Sequence, residues 1–175
     1  MKKYKKKNIK IGVLGGTFDP PHIGHLYISK VGIKKLKLNK LIWAIAKKNP
    51  FKKKPHFNVK KRIKLSKEIT KNNKKIVIHY LDNKIKSSNT YDLLNFIKKK
   101  NLKAKLYFLI GSDNLKKFHK WANWKKIPQI AKIVIFPRKN YLKRSIARQI
   151  LSKKDLMYIN CKKIDISSSL IRKFW

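Results

Sequence analysis

The sequence predicts an α/β fold with a Rossmann-like, doubly wound and mostly parallel sheet of five to six strands, covered by helices on both faces. Short runs of β-branched and aliphatic residues recur along the chain and are bounded by turn residues. Longer stretches with a helical spacing of apolar residues separate these runs. Strands that alternate with helices form βαβ units with right-handed crossovers, so the strands are expected to lie parallel.

Six apolar runs are the predicted strands, and the last has the weakest pattern: Ile9–Leu14, Leu41–Ala46, Ile76–Tyr80, Leu106–Ile110, Ile133–Phe136 and Met157–Ile159. The predicted helices lie between them, at Ile23–Leu36, Val59–Lys71, Tyr91–Lys100, Asn114–Phe118 and Ser145–Leu151. In such sheets, ligands bind beyond the carboxyl ends of the strands, where the strand order reverses. The loop Lys47–Asn58 follows the second strand and is predicted to cover the mouth of that site.

Length and composition predict one folded domain. A chain of 175 residues is long enough for one domain with a core and too short for two ordinary ones. The hydrophobic fraction of 42% and the aromatic fraction of 11% argue against disorder, although 31% of the residues are charged. We predict a single domain over residues 1–175, of which residues 1–8 form a basic amino-terminal tail.

The formal net charge of +41 at pH 7 would ordinarily indicate a nucleic acid or an anionic membrane as the partner. Only five of the 48 basic residues are arginines, however, and the lysines are spread over the whole chain. Lys, Ile, Asn, Tyr and Phe are all abundant, as the codons of an AT-rich genome would produce. We predict no specific nucleic acid and no membrane as partners, and weak, salt-sensitive polyanion binding from charge alone.

Cysteine usage and the amino terminus predict a cytoplasmic protein. Cys161 is the only cysteine, which excludes an internal disulfide and most structural zinc sites. The apolar stretch after the basic residues 1–7, Ile9–Leu14, is too short for a signal peptide or a transmembrane helix.

The segment from Gly15 to His25 predicts an anion-binding turn. Glycines at the end of the first strand let the backbone approach a phosphate, and the amino terminus of the next helix favours an anion. His22 and His25 are three residues apart, so they share one helical face and can donate hydrogen bonds to phosphate oxygens. No P-loop pattern follows. A zinc pair and a structural role for the histidines remain alternatives at this point.

A second phosphate site is predicted near the carboxyl terminus. Ser167–Ser169 has the pattern of a helix N-cap with several hydroxyl groups, and the cationic Arg172 lies one turn further along.

Both segments resemble signatures of the HxGH nucleotidyltransferase superfamily. The string from Gly15 to His25 is similar to its first signature, and Ile166-Ser-Ser-Ser-Leu-Ile-Arg172 is similar to its second. The two stand in the expected order, about 140 residues apart, so a chance match is a poor explanation.

The segments in between resemble nicotinate-nucleotide adenylyltransferases, and the resemblance spans Ile9 to Phe174. It rests on Ser88-Asn-Thr-Tyr-Asp92, on Ile110-Gly-Ser-Asp-Asn-Leu115 followed by Phe118, Lys120 and Trp121, and on Pro137-Arg138. Two features depart from the family. The loop at Asn49–Lys52 has a single proline where many members have two, so its contacts to the substrate phosphate stay open. The chain also stops at Trp175, where relatives usually continue, so oligomer contacts are expected to differ.

The resemblance implies an enzyme that transfers the adenylyl group of ATP to nicotinate mononucleotide, giving deamido-NAD and pyrophosphate in NAD biosynthesis. It implies Mg²⁺ carried by ATP as the cofactor and no metal site formed by the protein. The implied catalytic residues are His22, His25 and Arg172. The implied ATP-binding residues are Gly15, Gly16, Thr17, Phe18, His22, His25, Gly111, Asp113, Ile166, Ser167, Ser168 and Arg172. The implied substrate-binding residues are Asn49, Asn89, Thr90, Tyr91, Trp121 and Arg138.

Several side chains have two interpretations at this point. Asp113 suits a ribose hydroxyl, and it also suits the N-cap of the helix Asn114–Phe118. Trp121 and Trp124 belong to a nicotinate pocket or to a packing stripe. Asp19 is expected to form a turn. Trp43 and Trp175 are expected to contribute to packing.

Two other functions remain as alternatives. One is another HxGH nucleotidyltransferase, either phosphopantetheine adenylyltransferase, which usually carries Thr where His22 stands, or a cytidylyltransferase. The other is a basic nucleic-acid-binding α/β module, although no recognised motif of that class occurs. The preference between the acid and amide mononucleotides and the oligomeric state stay open.

Overall fold

The computed structural model describes residues 9–49, 51, 53–138, 146–152, 154–162 and 166–174. The predicted basic tail at residues 1–8, Pro50 and Lys52 of the loop after the second strand, Ser145 and Trp175 lie outside the described residues.

Six parallel strands form one sheet. They are β1 Lys10–Gly16, β2 Lys40–Ile45, β3 Ile76–His79, β4 Lys105–Gly111, β5 Ala131–Phe136 and β6 Leu156–Tyr158. Their order is β3-β2-β1-β4-β5-β6, and every neighbouring pair is parallel. The order reverses between β1 and β4, where the chain leaves one edge and returns to the centre. The predicted Rossmann-like fold is confirmed, with a sheet that is wholly parallel and a switch point beside β1.

The helices include the predicted ones and several short additions. They are α1 Ile23–Leu36, α2 Val59–Thr70, α3 Asp82–Ile85, α4 Thr90–Lys100, α5 Ser112–Leu115, α6 Ile127–Ile130, α7 Ile146–Ile150 and α8 Ser168–Ile171. Three 3-10 turns follow at Phe118–Lys120, Trp124–Lys126 and Arg172–Phe174. Helix α1 has the predicted bounds, while the predicted helix Asn114–Phe118 is divided into α5 and a 3-10 turn.

The first strand is longer than predicted. It was expected to end at Leu14, but β1 continues through Gly15 and Gly16, which lie opposite Ala44 and Ile45 of β2. The parallel neighbour supplies backbone partners that the sequence pattern of one strand does not reveal. The strand therefore carries its two glycines directly to the carboxyl edge of the sheet.

Two apolar clusters cover the two faces of the sheet. One contains Phe108, Ile133 and the α4 residues Leu94 and Ile97. The other contains Leu109, Phe136 and Trp43, which is wholly buried, as the packing prediction for this tryptophan required. The clusters fix the strands firmly, so that the loops at their carboxyl ends are presented on a rigid frame.

None of the helices in the described ranges combines the length and the apolar character needed to cross a membrane.

Candidate active site

A cavity of about 470 Å³ opens at the carboxyl ends of the strands, at the switch point between β1 and β4. Fifteen predicted site residues line it: Gly15, Gly16, Thr17, Phe18, His22, His25, Asn49, Asn89, Thr90, Gly111, Asp113, Trp121, Arg138, Ser167 and Ser168. The remaining predicted residues, Tyr91, Ile166 and Arg172, do not line it, although Tyr91 directly follows Thr90 and Ile166 directly precedes Ser167 in the chain. The fold therefore brings the predicted site residues of the amino-terminal segment and of the carboxyl-terminal segment to one cavity.

His22 and His25 begin helix α1 and face each other, with ring centroids 3.8 Å apart. His22 is the N-cap, and its Nδ1 accepts a hydrogen bond from the backbone N–H of Gly24 at 3.1 Å. His25 Nδ1 accepts from the backbone N–H of His22 at 3.3 Å, which completes a capping box. An Nδ1 that accepts a hydrogen bond carries no proton, so each neutral ring carries its proton on Nε2. Both imidazoles can therefore cap the helix and donate from Nε2 to a ligand.

The rings of Phe18 and Trp43 stack on each other and support the ring of His25. The ring of Phe18 lies 4.7 Å from that of Trp43 in a stacked arrangement, and 4.7 Å from the ring of His25. Trp43 Nε1 donates to Ser29 Oγ at 2.8 Å, and Ser29 Oγ donates to the carbonyl oxygen of His25 at 2.7 Å. Trp43 therefore does more than pack in the core. It reaches the backbone of His25 through Ser29, and it supports Phe18, whose ring contacts the ring of His25.

The second signature contacts the first directly. Ser167 is the N-cap of α8, as predicted, and its hydroxyl accepts from the N–H of Leu170. Ser168 Oγ donates to the carbonyl oxygen of Pro20 at 2.8 Å. Arg172 Nη1 donates to the carbonyl oxygen of Asp19 and lies 3.4 Å from its Oδ2. The two ends of the chain meet at the turn between β1 and α1.

Asp19 has a larger role than the turn predicted for it. Its side chain is buried, and its two carboxylate oxygens accept from the backbone N–H groups of His56 and Phe57 at 2.7 and 2.9 Å. It also forms the ion pair with Arg172. The carboxylate thus connects the first signature, the second signature and the end of the loop after β2.

Gly24 is required by the close approach of the second signature. A Cβ at this position would lie 2.8 Å from Ile166 Cγ2 and 2.9 Å from the His22 ring, distances that real Cβ atoms do not show. The glycine of the HxGH string therefore makes room for a residue about 140 positions away.

We expect Gly24→Ala to displace either His22 or Ile166 and to lower kcat/KM about 100-fold, because misplacement of about 1 Å is costly in a preorganised site. Steady-state kinetics measure the effect. In an Ile166→Ala background the same substitution should cost less, since one of the two clashes is gone and the remaining loss comes from the His22 ring. Equal losses in both backgrounds would contradict the clash with Ile166.

The end of β4 holds Asp113 in place for a ligand. Gly111, and not Asp113, is the N-cap of α5, so the N-cap interpretation of Asp113 is wrong. Asp113 Oδ2 pairs with Arg138 Nη1 at 3.0 Å, whereas Oδ1 is buried without a hydrogen-bond partner among the described residues. Arg138 Nη2 also donates to the carbonyl oxygen of Ile166 at 2.9 Å. A buried acceptor that lacks a partner suits a ligand hydroxyl group.

The opposite side of the cavity is formed by the start of α4 and by Trp121. Asn89 is the N-cap of α4 and Thr90 its first residue, and both line the cavity. Trp121 lines the cavity with its ring 5.1 Å from Phe118, whereas Trp124 packs on Phe118 without lining the cavity. Trp121 therefore suits the pocket interpretation and Trp124 the packing one.

Comparisons with known proteins agree with this geometry. Residues 13–174 match the family model described as cytidylyltransferase-like. A probable nicotinate-nucleotide adenylyltransferase of Pelagibacter ubique is 44% identical over 96% of this chain and 94% of its own length. One of Aliarcobacter butzleri is 32% identical over 94% of this chain and 86% of its own length. The chain belongs to the nicotinate-nucleotide adenylyltransferases.

Solved structures of this family share the fold. The Plasmodium falciparum nicotinic acid mononucleotide adenylyltransferase complexed with NaAD superposes with a TM-score of 0.75 at 26% identity, covering 95% of this chain and 84% of that one. The same enzyme complexed with APC gives a TM-score of 0.74 at 25% identity, with the same coverage. The prediction of an adenylyltransferase of NAD biosynthesis is confirmed, and it is favoured over the two alternative functions.

Sequence analysis of this adenylyltransferase missed Asp82. Its Oδ2 accepts from the backbone N–H of Lys47 at 2.7 Å and from Ser88 Oγ at 2.6 Å, so it joins the loop after β2 to the segment before α4. A usable signal was present, since the whole chain has only seven acidic residues. Four of them lie around the cavity or beside its lining: Asp19, Asp82, Asp92 and Asp113.

Cys161 also lines the adenylyltransferase cavity, and burial raises the pKa of its thiol. A raised thiol pKa leaves little thiolate at neutral pH, so this cysteine is a poor nucleophile. In the described part of the chain, no group of three or more His, Cys, Asp or Glu side chains is placed to hold a metal ion.

Proposed function

We propose that ATP lies along the turn between β1 and α1 and that nicotinate mononucleotide lies against α4 and Trp121, within the same cavity. The enzyme transfers the adenylyl group of ATP to the mononucleotide and releases deamido-NAD and pyrophosphate. The observation that carries the proposal is the meeting of the two signatures at Asp19 and Pro20, beside a cavity whose far side presents Thr90 and Trp121. A volume of about 470 Å³ is within the usual range for a small-molecule site.

The ATP phosphates are proposed to contact the Nε2 donors of His22 and His25 and the hydroxyl groups of the second signature. Gly15 leaves this side open, because a Cβ there would meet only Phe108, at 3.8 Å, whereas a Cβ on Gly16 would contact the Phe18 ring from 3.4 Å. The amino terminus of α1 adds the positive end of its dipole. Arg172 contributes positive charge and also holds the second signature on Asp19.

The adenosine is proposed to lie near Gly111 and Asp113. Asp113 Oδ1 offers an acceptor to a ribose hydroxyl, and the pairing with Arg138 fixes its orientation. Arg138 was predicted to bind the second substrate. Its bonds to Asp113 and Ile166 support instead the proposal that it orients ATP-binding groups.

The nicotinate ring is proposed to stack on Trp121, with Asn49, Asn89 and Thr90 as its polar neighbours. Tyr91 was predicted in this set, but it packs against the apolar cluster below α4, so we propose that it supports Thr90 from behind. We propose that the ring and the adenosine occupy different parts of the cavity, so that the two reacting phosphates can meet between them.

The reaction is proposed to be a direct in-line transfer. An oxygen of the mononucleotide 5′-phosphate attacks the α-phosphorus of ATP, the bond to the β-phosphate oxygen breaks, and pyrophosphate leaves with its electron pair. The attacking group is already anionic, so the site needs no activated serine or cysteine. Its task is to align the two phosphates and to stabilise the negative charge.

Mg²⁺ is proposed as the cofactor, delivered on the phosphates of ATP. Such an ion usually keeps several water ligands and binds substrate phosphate oxygens, where it neutralises the leaving group. The chain's own contribution is to position the phosphates on the histidine side of the cavity. The cytosol, where ATP is abundant, is the proposed location.

Incubation with ATP, Mg²⁺ and each pyridine mononucleotide in separate reactions tests the function. We expect deamido-NAD and pyrophosphate from the acid mononucleotide, loss of both products with excess EDTA, and recovery on addition of Mg²⁺. Parallel reactions with phosphopantetheine and ATP, or with CTP and glycerol phosphate, test the rival transferases. Absence of a dinucleotide product with both mononucleotides would refute the proposal.

A further inference from the structure

Arg62, in the first turn of α2, is a charged side chain in the interior of the protein. It is only 1% exposed. Burial lowers the pKa of its guanidinium, and attraction to Asp19, Tyr80 and Asp82 partly opposes that effect. A buried cation is costly unless its donors are satisfied, so a side chain of this kind indicates a specific task.

The guanidinium donates to four backbone carbonyl oxygens from separate parts of the chain. Nη1 donates to Thr17 at 2.6 Å and to Ala46 at 2.7 Å. Nη2 donates to Lys47 at 3.0 Å, and Nε donates to Phe57 at 3.0 Å. One planar fork therefore joins the first signature to both ends of the loop after β2.

The same loop ends are held from the other side by carboxylates. The N–H of Lys47 donates to Asp82, and its carbonyl oxygen accepts from Arg62. The N–H of Phe57 donates to Asp19, and its carbonyl oxygen also accepts from Arg62. Lys47 and Phe57 are thus each held at the backbone N–H and at the backbone C=O, which leaves the backbone little freedom at either end of the loop.

The segments joined by Arg62 serve different parts of the cavity. Thr17 belongs to the turn on the ATP side. Lys48 and Asn49 directly follow Lys47 and line the cavity, and Asn49 belongs to the proposed mononucleotide pocket. A displacement of the guanidinium would therefore disturb both ends of the cavity together, although Arg62 itself does not line it.

We propose that Arg62 is a positioning residue that couples the two substrate subsites, because it holds the Thr17 turn and the loop after β2 in one arrangement. The inference rests on the proposed function for the assignment of ATP and mononucleotide to these subsites. Two sites that share a rigid support influence each other's affinity, and such coupling is commonly 5–150-fold.

Arg62→Lys tests the proposal. A lysine keeps the positive charge, but its compact ammonium group cannot reach carbonyl oxygens spread around a planar fork. We expect KM to rise about tenfold for both ATP and nicotinate mononucleotide. In the wild type, the mononucleotide should tighten binding of an ATP analogue with a methylene group between its α- and β-phosphorus atoms. In the variant this coupling should be lost.

Leu106→Ala is the matched control, since Leu106 is buried in β4 opposite Ile11 and Ala131, far from the carboxyl edge. This substitution should lower the melting temperature, because it removes buried apolar volume, and it does not touch the loop. All kinetics are measured well below both melting transitions. If both KM values stay within about twofold of the wild type, if only one of them rises, or if Leu106→Ala reproduces the rise, the coupling role is refuted.

A measurement on the wild type covers the case in which Arg62→Lys does not fold. The NMR signal of the Arg62 Nε–H should shift on addition of the methylene ATP analogue alone and also on addition of the mononucleotide alone. A signal that responds to neither ligand, or to only one, overturns the proposal. These binding measurements need no turnover, so a wild type that makes no dinucleotide would refute the proposed function separately.

Discussion

Replacing His25 by alanine is expected to lower kcat by about 100- to 1,000-fold, the usual effect of removing one preorganised donor from a developing charge. The loss is expected in kcat because the Nε2 donor stabilises charge that grows only during transfer. His25 also accepts a hydrogen bond at Nδ1 from the backbone of His22, so part of the effect of alanine comes from the disturbed helix start. The two contributions can be separated.

His25→Asn and His25→Gln separate them. The asparagine amide reaches the position of Nδ1, so it can keep the helix cap while the Nε2 donor is lost. The glutamine amide reaches the position of Nε2, so it can keep the donor while the cap is lost. We expect Gln to retain more turnover than Asn in a pyrophosphate-release assay at saturating substrates. Near-full turnover of the Ala or the Asn variant would refute the catalytic role of Nε2.

The fold was predictable because each element carries its own local pattern. Helix α1 begins at a histidine cap and ends before Lys37, whose left-handed backbone stops the helix, and both bounds were predicted. Element bounds were missed where a partner from elsewhere decides them. The pairing of Gly15 and Gly16 with β2 extends β1, and Gly111 caps α5 in place of Asp113.

The sequence motifs predicted which residues form the site, but they did not predict the hydrogen bonds that hold those residues in place. The histidines and Trp121 belong to recognisable strings, so their place in the cavity followed from the sequence. Arg62 and Asp82 belong to no string, and their roles depend on backbone carbonyl and N–H groups brought close only by the folded chain. Scarcity was the one signal for either residue, since the chain has five arginines and seven acidic residues, and the sequence prediction did not use it.

The roles of Trp43 and Asp19 show the same limit. A tryptophan within a strand predicts packing, and Trp43 does pack, but its bond to Ser29 becomes visible only when α1 lies on the sheet. Asp19 precedes a proline and suggests a turn, while its partners His56 and Arg172 are 37 and 153 residues away. Local sequence cannot specify partners at such separations.

Asp19→Asn is expected to weaken the whole site, because one side chain there holds three segments. An asparagine has a single acceptor oxygen, so the N–H of either His56 or Phe57 would meet the donor NH₂ group. The ion pair with Arg172 is also lost. We expect a loss of about 1–3 kcal/mol in the free energy of unfolding. The melting temperature should fall by about 2–4 °C for each kcal/mol.

The effect on catalysis should exceed the effect on stability. Release of Arg172 lets the second signature move away from the first, and release of Phe57 loosens the loop end that Arg62 holds. A misplacement of about 1 Å in these segments is expected to lower kcat/KM about 100-fold. Thermal unfolding and steady-state kinetics on the same preparation give both quantities.

Asp155→Asn is the matched control for Asp19→Asn. Asp155 also accepts hydrogen bonds at its carboxylate, from the N–H and the Oγ of Ser152, but it lies away from the cavity. Its substitution should leave kcat/KM unchanged. Because Asp19 and Arg172 act together, the combined variant Asp19→Asn/Arg172→Met should lose less than the sum of the single losses in free energy. Additive losses would mean that Asp19 acts on the site without Arg172, through the loop after β2 alone.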